Sequence, residues 1–202
     1  MFKKFAAEAL GISDIGVIVG PADYNKVDAD DYLFTEDGEK IFFLIKSKKD
    51  EYCFTNLALI HVDGDSAVSS KRSIKRYEYA SHRISDVTIE TAGTIDMDIE
   101  LKFSVDDLEF SIDVKKSFIE QLKDVYKALV TIGKQQRRDE VCRENALQAL
   151  EATASVHKLN IAPDGGTLTS QFNALLAALN TAVLDTHTKR DFSDVFAKYI
   201  HN

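Results

Sequence analysis

The chain has 202 residues, of which 45% are hydrophobic, and a formal net charge of −8. This length is enough for one sizeable hydrophobic core and a smaller second one, so one or two domains are expected. An acidic chain is repelled by phosphate backbones, which argues against general nucleic-acid binding. Cys53 and Cys142 lie far apart without a Cys-x-x-Cys motif, which argues against a disulfide framework or a zinc site and predicts a reducing, cytoplasmic location.

The N-terminus is predicted to form a short amphipathic helix, because apolar residues recur there at helical spacing from Phe2 to Leu10. Glu8 and Asp14 interrupt the apolar stretch, so a cleaved signal peptide is not expected. The chain has no run close to the ~18 apolar residues that a membrane-spanning helix needs.

Seven short strands are predicted next, because apolar runs and alternating segments are separated by polar loops. In chain order they are IFFLI, YCFT, LALIHVD, RSIKRYEY, ISDVTIE, IDMDIELKFS and DDLEFSIDV. The last two alternate between apolar and polar residues throughout. This alternation is typical of an antiparallel sheet with one face in water.

An acidic row on the sixth strand, Asp96, Asp98 and Glu100, raises the question of a metal or catalytic site. Residues two apart on one strand face are separated by roughly 6.5–7 Å, so the three carboxylates cannot all bind one cation directly. We interpret the row as a solvated face. The alternative is a site completed by groups from other strands.

After Ser117 the apolar residues recur every three or four positions, which predicts an amphipathic helix ending at Gly133. Strands followed by one such helix predict a small, bent sheet or barrel capped by that helix. Beyond Gly133 the patterns are helical. The expected domains are therefore 1–133, with the N-terminal helix, and 134–202, a helical hairpin plus a short C-terminal helix.

The last two predicted helices each carry an apolar stripe, and short helices are marginal in water by themselves. The stripes can be covered within the chain or by another copy of it, and both alternatives stay open. The candidate packing residues are Phe172, Leu175, Leu176, Leu179, Phe192, Val195, Phe196 and Tyr199.

No catalytic, metal or cofactor site is predicted, because the histidines stand alone and no nucleophile, metalloprotease or phosphate-loop motif occurs. Of the histidines, only His61 lies in a predicted strand, where a structural role is expected. Two basic clusters are candidates for binding an anionic head group if the sheet brings them together. Alternatively, they keep strand edges and loops soluble. They are Lys46, Lys48 and Lys49 in the first interstrand loop, and Lys71, Arg72, Lys75 and Arg76 at the fourth strand.

Roughly residues 30–132 resemble the bacterial pleckstrin-homology-like family. The segment FTNLALIHVD matches one family motif through Phe54, Thr55, Asn56, Ile60 and Asp63. The segment ISDVTIETAGTIDMDIELKF matches another through Ile84, Glu90, Thr91, Ala92, Gly93, Asp96, Asp98, Glu100 and Leu101. Ala58 stands where the family often has arginine, and SSKRS replaces a Gly-Lys pattern. Residues 134–202 are similar to the YvbH-like helical extension, a region associated with oligomerisation.

The resemblance implies an α+β protein: a seven-stranded, orthogonally packed β-sandwich or partly open barrel, capped by a C-terminal helix and followed by a helical extension. The expected function is a soluble, non-enzymatic interaction or scaffold protein that forms homo-oligomers through the PH-like domain and the helical extension. Its expected partners are itself and, as a further possibility, another protein. The alternative function is peripheral binding of anionic lipid head groups at a membrane surface.

Overall fold

The computed structural model describes residues 14–64, 72–91, 98–156, 165–181 and 188–201, and its strands form two antiparallel sheets. The first sheet has five strands in sequence order: β1 (Val17–Ile18), β2 (Ile41–Lys46), β3 (Glu51–Thr55), β4 (Ala58–Gly64) and β5 (Arg72–Glu78). The second has three: β6 (Ile84–Thr91), β7 (Asp98–Val105) and β8 (Leu108–Lys115). The predicted fold class is confirmed. Strands β2 to β8 are the seven expected from the sequence, and the two-residue β1 is an addition.

Gly16 connects the two sheets. Its backbone N–H donates to the carbonyl oxygen of Asp113 at 2.7 Å, and its own carbonyl accepts from the N–H of Lys115 at 3.0 Å. A Cβ at position 16 would lie 2.9 Å from the Asp113 carbonyl oxygen. The close approach of the two backbones therefore requires glycine here.

The main core lies between the two sheets and helix α1 (Ile119–Val156). Burial alternates along β7, where Ile99, Leu101 and Phe103 are buried and the residues between them are not. This confirms the predicted alternation for the described part of the strand. From α1 the core receives the stripe Leu122, Val125, Ala128, Leu129 and Ile132.

The five-stranded sheet is buried on its second face as well. A chain segment with three short 3-10 helices, Pro21–Lys26, Asp28–Tyr32 and Thr35–Asp37, precedes β2, and we call it the covering segment. Val27 and Ala29 from this segment pack with residues of β2, β3 and β4 in a second apolar cluster. Burial on both faces explains why β2 and β4 read as continuous apolar runs rather than as alternating strands.

Helix α1 does not end at Gly133, so that prediction is wrong: the helix continues without interruption to Val156. A Cβ at position 133 would lie 2.5 Å from the carbonyl oxygen of Ile84 on β6. The glycine therefore serves the close packing of helix on strand and is not a terminator. Glycine inside a helix costs about 1 kcal/mol relative to alanine, and this packing offsets that cost.

Two further helices follow, α2 (Gly165–Asn180) and α3 (Ser193–Tyr199). The described residues form two compact units, and the grouping differs from the expected division at Gly133. The first unit contains the residues up to Gly133 together with those from Arg190 onward, and the second is Lys134–Lys189. Helix α3 falls in the first unit because side chains in and beside it are buried in the main core; they are Phe192, Val195, Phe196 and Ile200.

The predicted N-terminal helix lies outside the described residues. Within the described ranges, no helix has both the length and the hydropathy to cross a bilayer.

Candidate functional site

The acidic row of the sixth predicted strand is partly visible: Asp98 and Glu100 lie on β7, and Asp96 lies outside the described residues. Ser111 on β8 donates a hydrogen bond to Glu100, and the ammonium group of Lys102 lies 3.0 Å from the Glu100 carboxylate. The Ser111 hydrogen bond and Lys102 lower the pKa of Glu100. Among the described residues, no group of three or more His, Cys, Asp or Glu is placed to hold a metal ion.

Lys46 of the first basic cluster is a buried ion-pair partner. It is 7% exposed, and its ammonium group contacts the fully buried carboxylate of Glu51. The same carboxylate accepts hydrogen bonds from the backbone N–H groups of Asp28 at 3.2 Å and Ala29 at 2.9 Å. Burying a charge is costly unless it is paired and hydrogen-bonded. Glu51 meets that condition and fixes the covering segment on the sheet.

The two basic clusters do meet, at one end of the five-stranded sheet. The guanidinium group of Arg72 donates to the carbonyl oxygen of Lys49 at 2.8 Å. Gly64 makes room for this contact, because a Cβ there would lie 2.5 Å from the Arg72 guanidinium. Arg72 also lies 3.4 Å from the carboxylate of Asp28. Two of its three guanidinium nitrogens are therefore engaged by this chain.

Arg76 of the second cluster neutralises a buried carboxylate. Its guanidinium group lies 3.0 Å from both carboxylate oxygens of Glu39, a residue that is only 4% exposed. The same guanidinium group lies 4.5 Å from the centre of the Phe34 ring. Glu39 also accepts hydrogen bonds from the backbone N–H of Phe34 and the hydroxyl of Thr55. Charge-assisted bonds of this kind are the strong ones, so Arg76 is an anchor of the covering segment.

The remaining members of the basic clusters are on the surface. Lys75 is exposed and lies 3.8 Å from the carboxylate of Asp63. Lys48 and Lys49 are exposed in the loop after β2. Lys71 lies outside the described residues. The clusters thus supply fewer available cations than their sequence suggests.

Asn56 of the first family motif joins three segments of the first unit. Its side-chain oxygen accepts from the backbone N–H of Lys40 at 2.8 Å, and its side-chain nitrogen donates to Asp191 at 3.1 Å. Its carbonyl oxygen accepts from the N–H of Phe192 at 2.9 Å. Burial raises the pKa of Asp191, but hydrogen bonds from Ser193 and Asn56 outweigh it and lower that pKa below the usual value.

Sequence reasoning matched Asn56 to a family motif but missed its structural role, and it missed the anchoring roles of Glu39 and Glu51 altogether. Glu39 and Glu51 stand in charged stretches of the sequence, TEDGEK and KSKKDE, so no local pattern marks them as buried. Ala58, where the family often has arginine, is fully buried in this chain.

His61 lies in an aromatic stack, as a structural histidine does. Its ring is stacked on Tyr52 at 4.5 Å between centroids, and the ring of Phe110 lies 5.8 Å away. Its Nε2 is 3.4 Å from the carboxylate of Asp50. Burial, with Asp50 nearby, raises the pKa of Tyr52 above its ordinary value.

Four of the eight candidate packing residues belong to the core of the first unit. Phe192 and Phe196 are fully buried and Val195 is nearly so. The Phe196 ring stacks on Phe42 with 5.2 Å between centroids. The hydroxyl of Tyr199, which is half-buried, lies 3.2 Å from that of Thr131. These side chains are used within the chain.

The other four candidates share one side of α2, and we call them the α2 face: Phe172, Leu175, Leu176 and Leu179. Phe172 is 62% exposed, Leu175 36% and Leu176 43%, while Leu179 is half-buried. The spacing i, i+3, i+4, i+7 is that of a helix stripe made for packing. The sequence has no charged residue between Asp164 and Asp185. Helix α2 is therefore uncharged, and most of its apolar stripe is exposed.

Two antiparallel sheets around a core that a helix completes, followed by a helical unit, define a pleckstrin-homology-like domain with a helical extension. The chain belongs to the bacterial PH domain family, whose model matches residues 9–132. The model of the YvbH-like oligomerisation region matches residues 146–202. The resemblance identified from the sequence is therefore confirmed.

The chain is similar to two proteins of Bacillus subtilis (strain 168). It is 50% identical to the uncharacterised protein YvbH over 205 residues, which cover all of both chains. It is 34% identical to the uncharacterised protein YjqA over 98 residues, covering 48% of this chain and 76% of YjqA. The chain is also 41% identical in sequence to a PH-domain-containing bacterial protein from Exiguobacterium sibiricum 255-15, whose crystal structure is known. The two structures match with a TM-score of 0.85, and the match covers 93% of this chain and all of that one.

Proposed function

We propose that the chain is a non-enzymatic scaffold or interaction protein that assembles into homo-oligomers. The observation that carries this proposal is the exposed, uncharged α2 face in the second unit. Most of the stability of a helix in a protein comes from packing its apolar face, and in the single chain the 16-residue helix α2 leaves most of that face exposed. Helix α2 lies in the part of the chain that matches the YvbH-like oligomerisation region, and the name of that region supports the same function.

The strand edges of the PH-like domain are a second route to assembly, and they are less suited to it. Strand β5 ends the five-stranded sheet and carries Arg72, Lys75 and Arg76, and such charges discourage pairing of an edge with another strand. Strand β6 ends the other sheet and is interrupted at Asp86, where the register shifts and φ is +52°. Bulges of this kind also blunt an edge. We therefore assign the larger part of assembly to the helical unit.

Binding of anionic lipid head groups is the weaker alternative. Lys46, Arg72 and Arg76 each contact a carboxylate of this chain, and two of those carboxylates are buried. Releasing these cations for a lipid would leave a buried carboxylate without its partner, which is costly. A reducing, cytoplasmic location stays part of the proposal, supported by the free cysteines Cys53 and Cys142.

Light scattering coupled to size exclusion tests the assembly of the full chain. Over about a hundredfold range of protein concentration, we expect a defined oligomer whose dissociation follows mass action. The variant Leu175→Glu/Leu176→Glu should be smaller than the native assembly, because carboxylates would be buried in the contact. A full chain that stays monomeric throughout would overturn the proposal.

The matched control adds the same two charges on the opposite side of α2, as Ala174→Glu/Ala177→Glu. Both alanines are exposed, and neither belongs to the α2 face. We expect this variant to assemble like the native chain. If both double variants dissociate alike, the helix as a whole is sensitive to charge and its apolar stripe is not the contact.

A further inference from the structure

We infer that Tyr32 and Phe34 form a docking surface for a segment of another protein in which arginine stands beside apolar residues. The inference rests on the interaction role in the proposed function and names a class of partner for it. It does not depend on self-assembly, because both residues lie in the first unit and not on α2. Three observations support it: two exposed aromatic rings, the fixed backbone that carries them, and the charge around them.

The two aromatic side chains project from the same side of the covering segment. Tyr32 is 44% exposed and Phe34 49%, whereas Leu33 between them is half-buried and packs on the second apolar cluster. The backbone at Leu33 is extended, with φ −81° and ψ 139°. Residues two apart in an extended chain point to the same side, with their Cα atoms roughly 6.5–7 Å apart. The two rings are therefore neighbours on the surface.

The backbone that carries Phe34 is held by hydrogen bonds. The Phe34 N–H donates to the carboxylate of Glu39 at 2.8 Å. The Phe34 carbonyl oxygen accepts from the N–H groups of Asp37 at 3.0 Å and Glu39 at 3.1 Å. A side chain on a fixed backbone loses less conformational entropy when a partner covers it, and aromatic residues are enriched where proteins meet. An exposed ring mounted in this way suits an interface.

The ring of Phe34 already contacts one guanidinium group of this chain. The guanidinium group of Arg76 lies 4.5 Å from the ring centre, and Glu39 balances its charge at 3.0 Å. An aromatic face attracts a cation electrostatically. About half of Phe34 is still exposed, so the ring offers further surface to the arginine of a partner.

The charge around the rings selects a basic partner. From Asp28 to Glu39 the sequence has six acidic residues and no lysine or arginine. Three of them, Asp31, Glu36 and Asp37, are exposed and stand within three positions of a ring. Such a surface repels phosphate backbones, anionic membranes and a second copy of itself. Arginine pairs with carboxylates and stacks on aromatic rings, and apolar neighbours of that arginine would cover the rest of the rings.

Fluorescence anisotropy of the full chain tests the inference, with a labelled synthetic peptide in which arginine and leucine alternate as the probe. We expect binding that weakens as salt is added. Tyr32→Ser/Phe34→Ser should weaken it at least about tenfold, as the loss of interface anchors does. Asp31→Asn/Glu36→Gln/Asp37→Asn keeps both rings and should weaken it too, with a smaller dependence on salt.

The matched control is Asp107→Asn/Leu108→Ser/Glu109→Gln, at the turn between β7 and β8. Leu108 is 51% exposed and stands between two exposed carboxylates. The control therefore removes exposed apolar surface and negative charge at a different place, and it should bind the peptide like the native chain.

Three results would overturn the inference. The first is a native chain that does not bind the peptide at low salt. The second is a control that loses as much binding as Tyr32→Ser/Phe34→Ser, because the peptide would then respond to net charge alone. The third is sedimentation of the native chain with vesicles of phosphatidylcholine and phosphatidylserine that the double variant abolishes, because the rings would then serve a membrane.

A single substitution keeps the test decisive if loss of the Phe34 ring disturbs Arg76 and the covering segment. Tyr32→Ser leaves that contact in place and should still weaken peptide binding, and unchanged binding would overturn the inference.

Light scattering separates this inference from the proposed function. Tyr32→Ser/Phe34→Ser should assemble like the native chain. Smaller assemblies of this variant would make the surface a contact between copies, which overturns the inference and leaves self-assembly standing. A native chain that is monomeric and binds the peptide through the rings would overturn self-assembly and leave the inference standing.

Discussion

Removing the ring of Phe196 should destabilise the PH-like domain, although this residue lies 63 positions beyond the predicted end of that domain at Gly133. Phe196 is fully buried, stacks on Phe42 and lies 6.1 Å from the ring of Tyr79. Truncating a buried phenylalanine to alanine costs about 3–5 kcal/mol, as lost transfer free energy and a residual cavity. Domains are stable by only about 5–15 kcal/mol, so Phe196→Ala should remove a large part of the free energy of unfolding.

Urea unfolding followed by tyrosine fluorescence measures this loss, since the chain has seven tyrosines and no tryptophan. Phe172→Ala is the matched control, because it deletes the same ring from a side chain that is 62% exposed. We expect that control, measured at a protein concentration where the chain is monomeric, to change stability by no more than about 0.5 kcal/mol. If Phe196→Ala loses as little as the control, helix α3 is not part of the core and the reasoning fails.

A chain that stops at Gly133 is therefore a poor test of the helical extension. It would lack Phe192 and Phe196 and leave an open apolar site beside Phe42 and Tyr79. Exposed apolar surface of this kind promotes nonspecific association, whatever the role of the helical extension. Substitutions on the α2 face avoid the problem, because they leave the core of the first unit intact.

Three further predictions test other parts of the structure. Gly133→Val should lower the free energy of unfolding by about 1–3 kcal/mol through overpacking. Gly20→Ala is the control and should be close to neutral, because there is open space around the new Cβ. Thermal unfolding compares the two variants, and equal midpoints would contradict the close packing of α1 on β6. Lys48→Glu/Lys49→Glu should leave sedimentation with anionic vesicles unchanged, and salt-sensitive binding that this variant abolishes would favour the lipid alternative. The lowered pKa of Asp191 means that its carboxylate stabilises the folded state at pH values above the unfolded pKa, and that this stability is lost as the pH falls through the folded pKa. Asp191→Asn should therefore make the free energy of unfolding less dependent on pH on the acid side. An unchanged stability–pH profile would contradict this role.

The strands were predictable because the polar and apolar sides of a sheet have different surroundings. In β7 every second residue meets the core, so Ile99, Leu101 and Phe103 appear in the sequence at a period of two. The helix stripe of α1 is equally visible, at a period of three and four. Neither pattern depends on which distant segment supplies the other side of the core.

Gly133 and the covering segment were mispredicted or missed because their causes are long-range. Glycine has the same local preference whether it ends a helix or admits a neighbouring strand, and here the carbonyl oxygen of Ile84 decides between the two. The acidic segment before β2 shows no regular period, since only Val27 and Ala29 in its middle are buried. Its placement depends on Glu39 and Glu51, which no local pattern identifies as anchors.

The predicted basic clusters illustrate a related limit. Lysines and arginines near strand ends look alike in sequence whether they face water, a ligand or a carboxylate of the same chain. Here Lys46 is paired with Glu51 across the turn between β2 and β3, and Arg76 is paired with Glu39, which lies 37 residues earlier; both carboxylates are buried. The number of lysines and arginines in the sequence therefore overstates the positive charge that is available to bind an anion.

Helices α2 and α3 carry similar apolar stripes, yet one is exposed and the other buried, and the difference between them lies in their charged residues. Helix α3 keeps Asp194 and Lys198 exposed while Val195 and Phe196 are buried, so it has a side for water and a side for the core. Helix α2 has no charged residue on any side. A helix that has one side in water usually carries charge there, and a helix without charge is usually surrounded. Periodicity locates the packing side of each helix, and the missing charge on α2 is the reason to seek its cover in another copy of the chain.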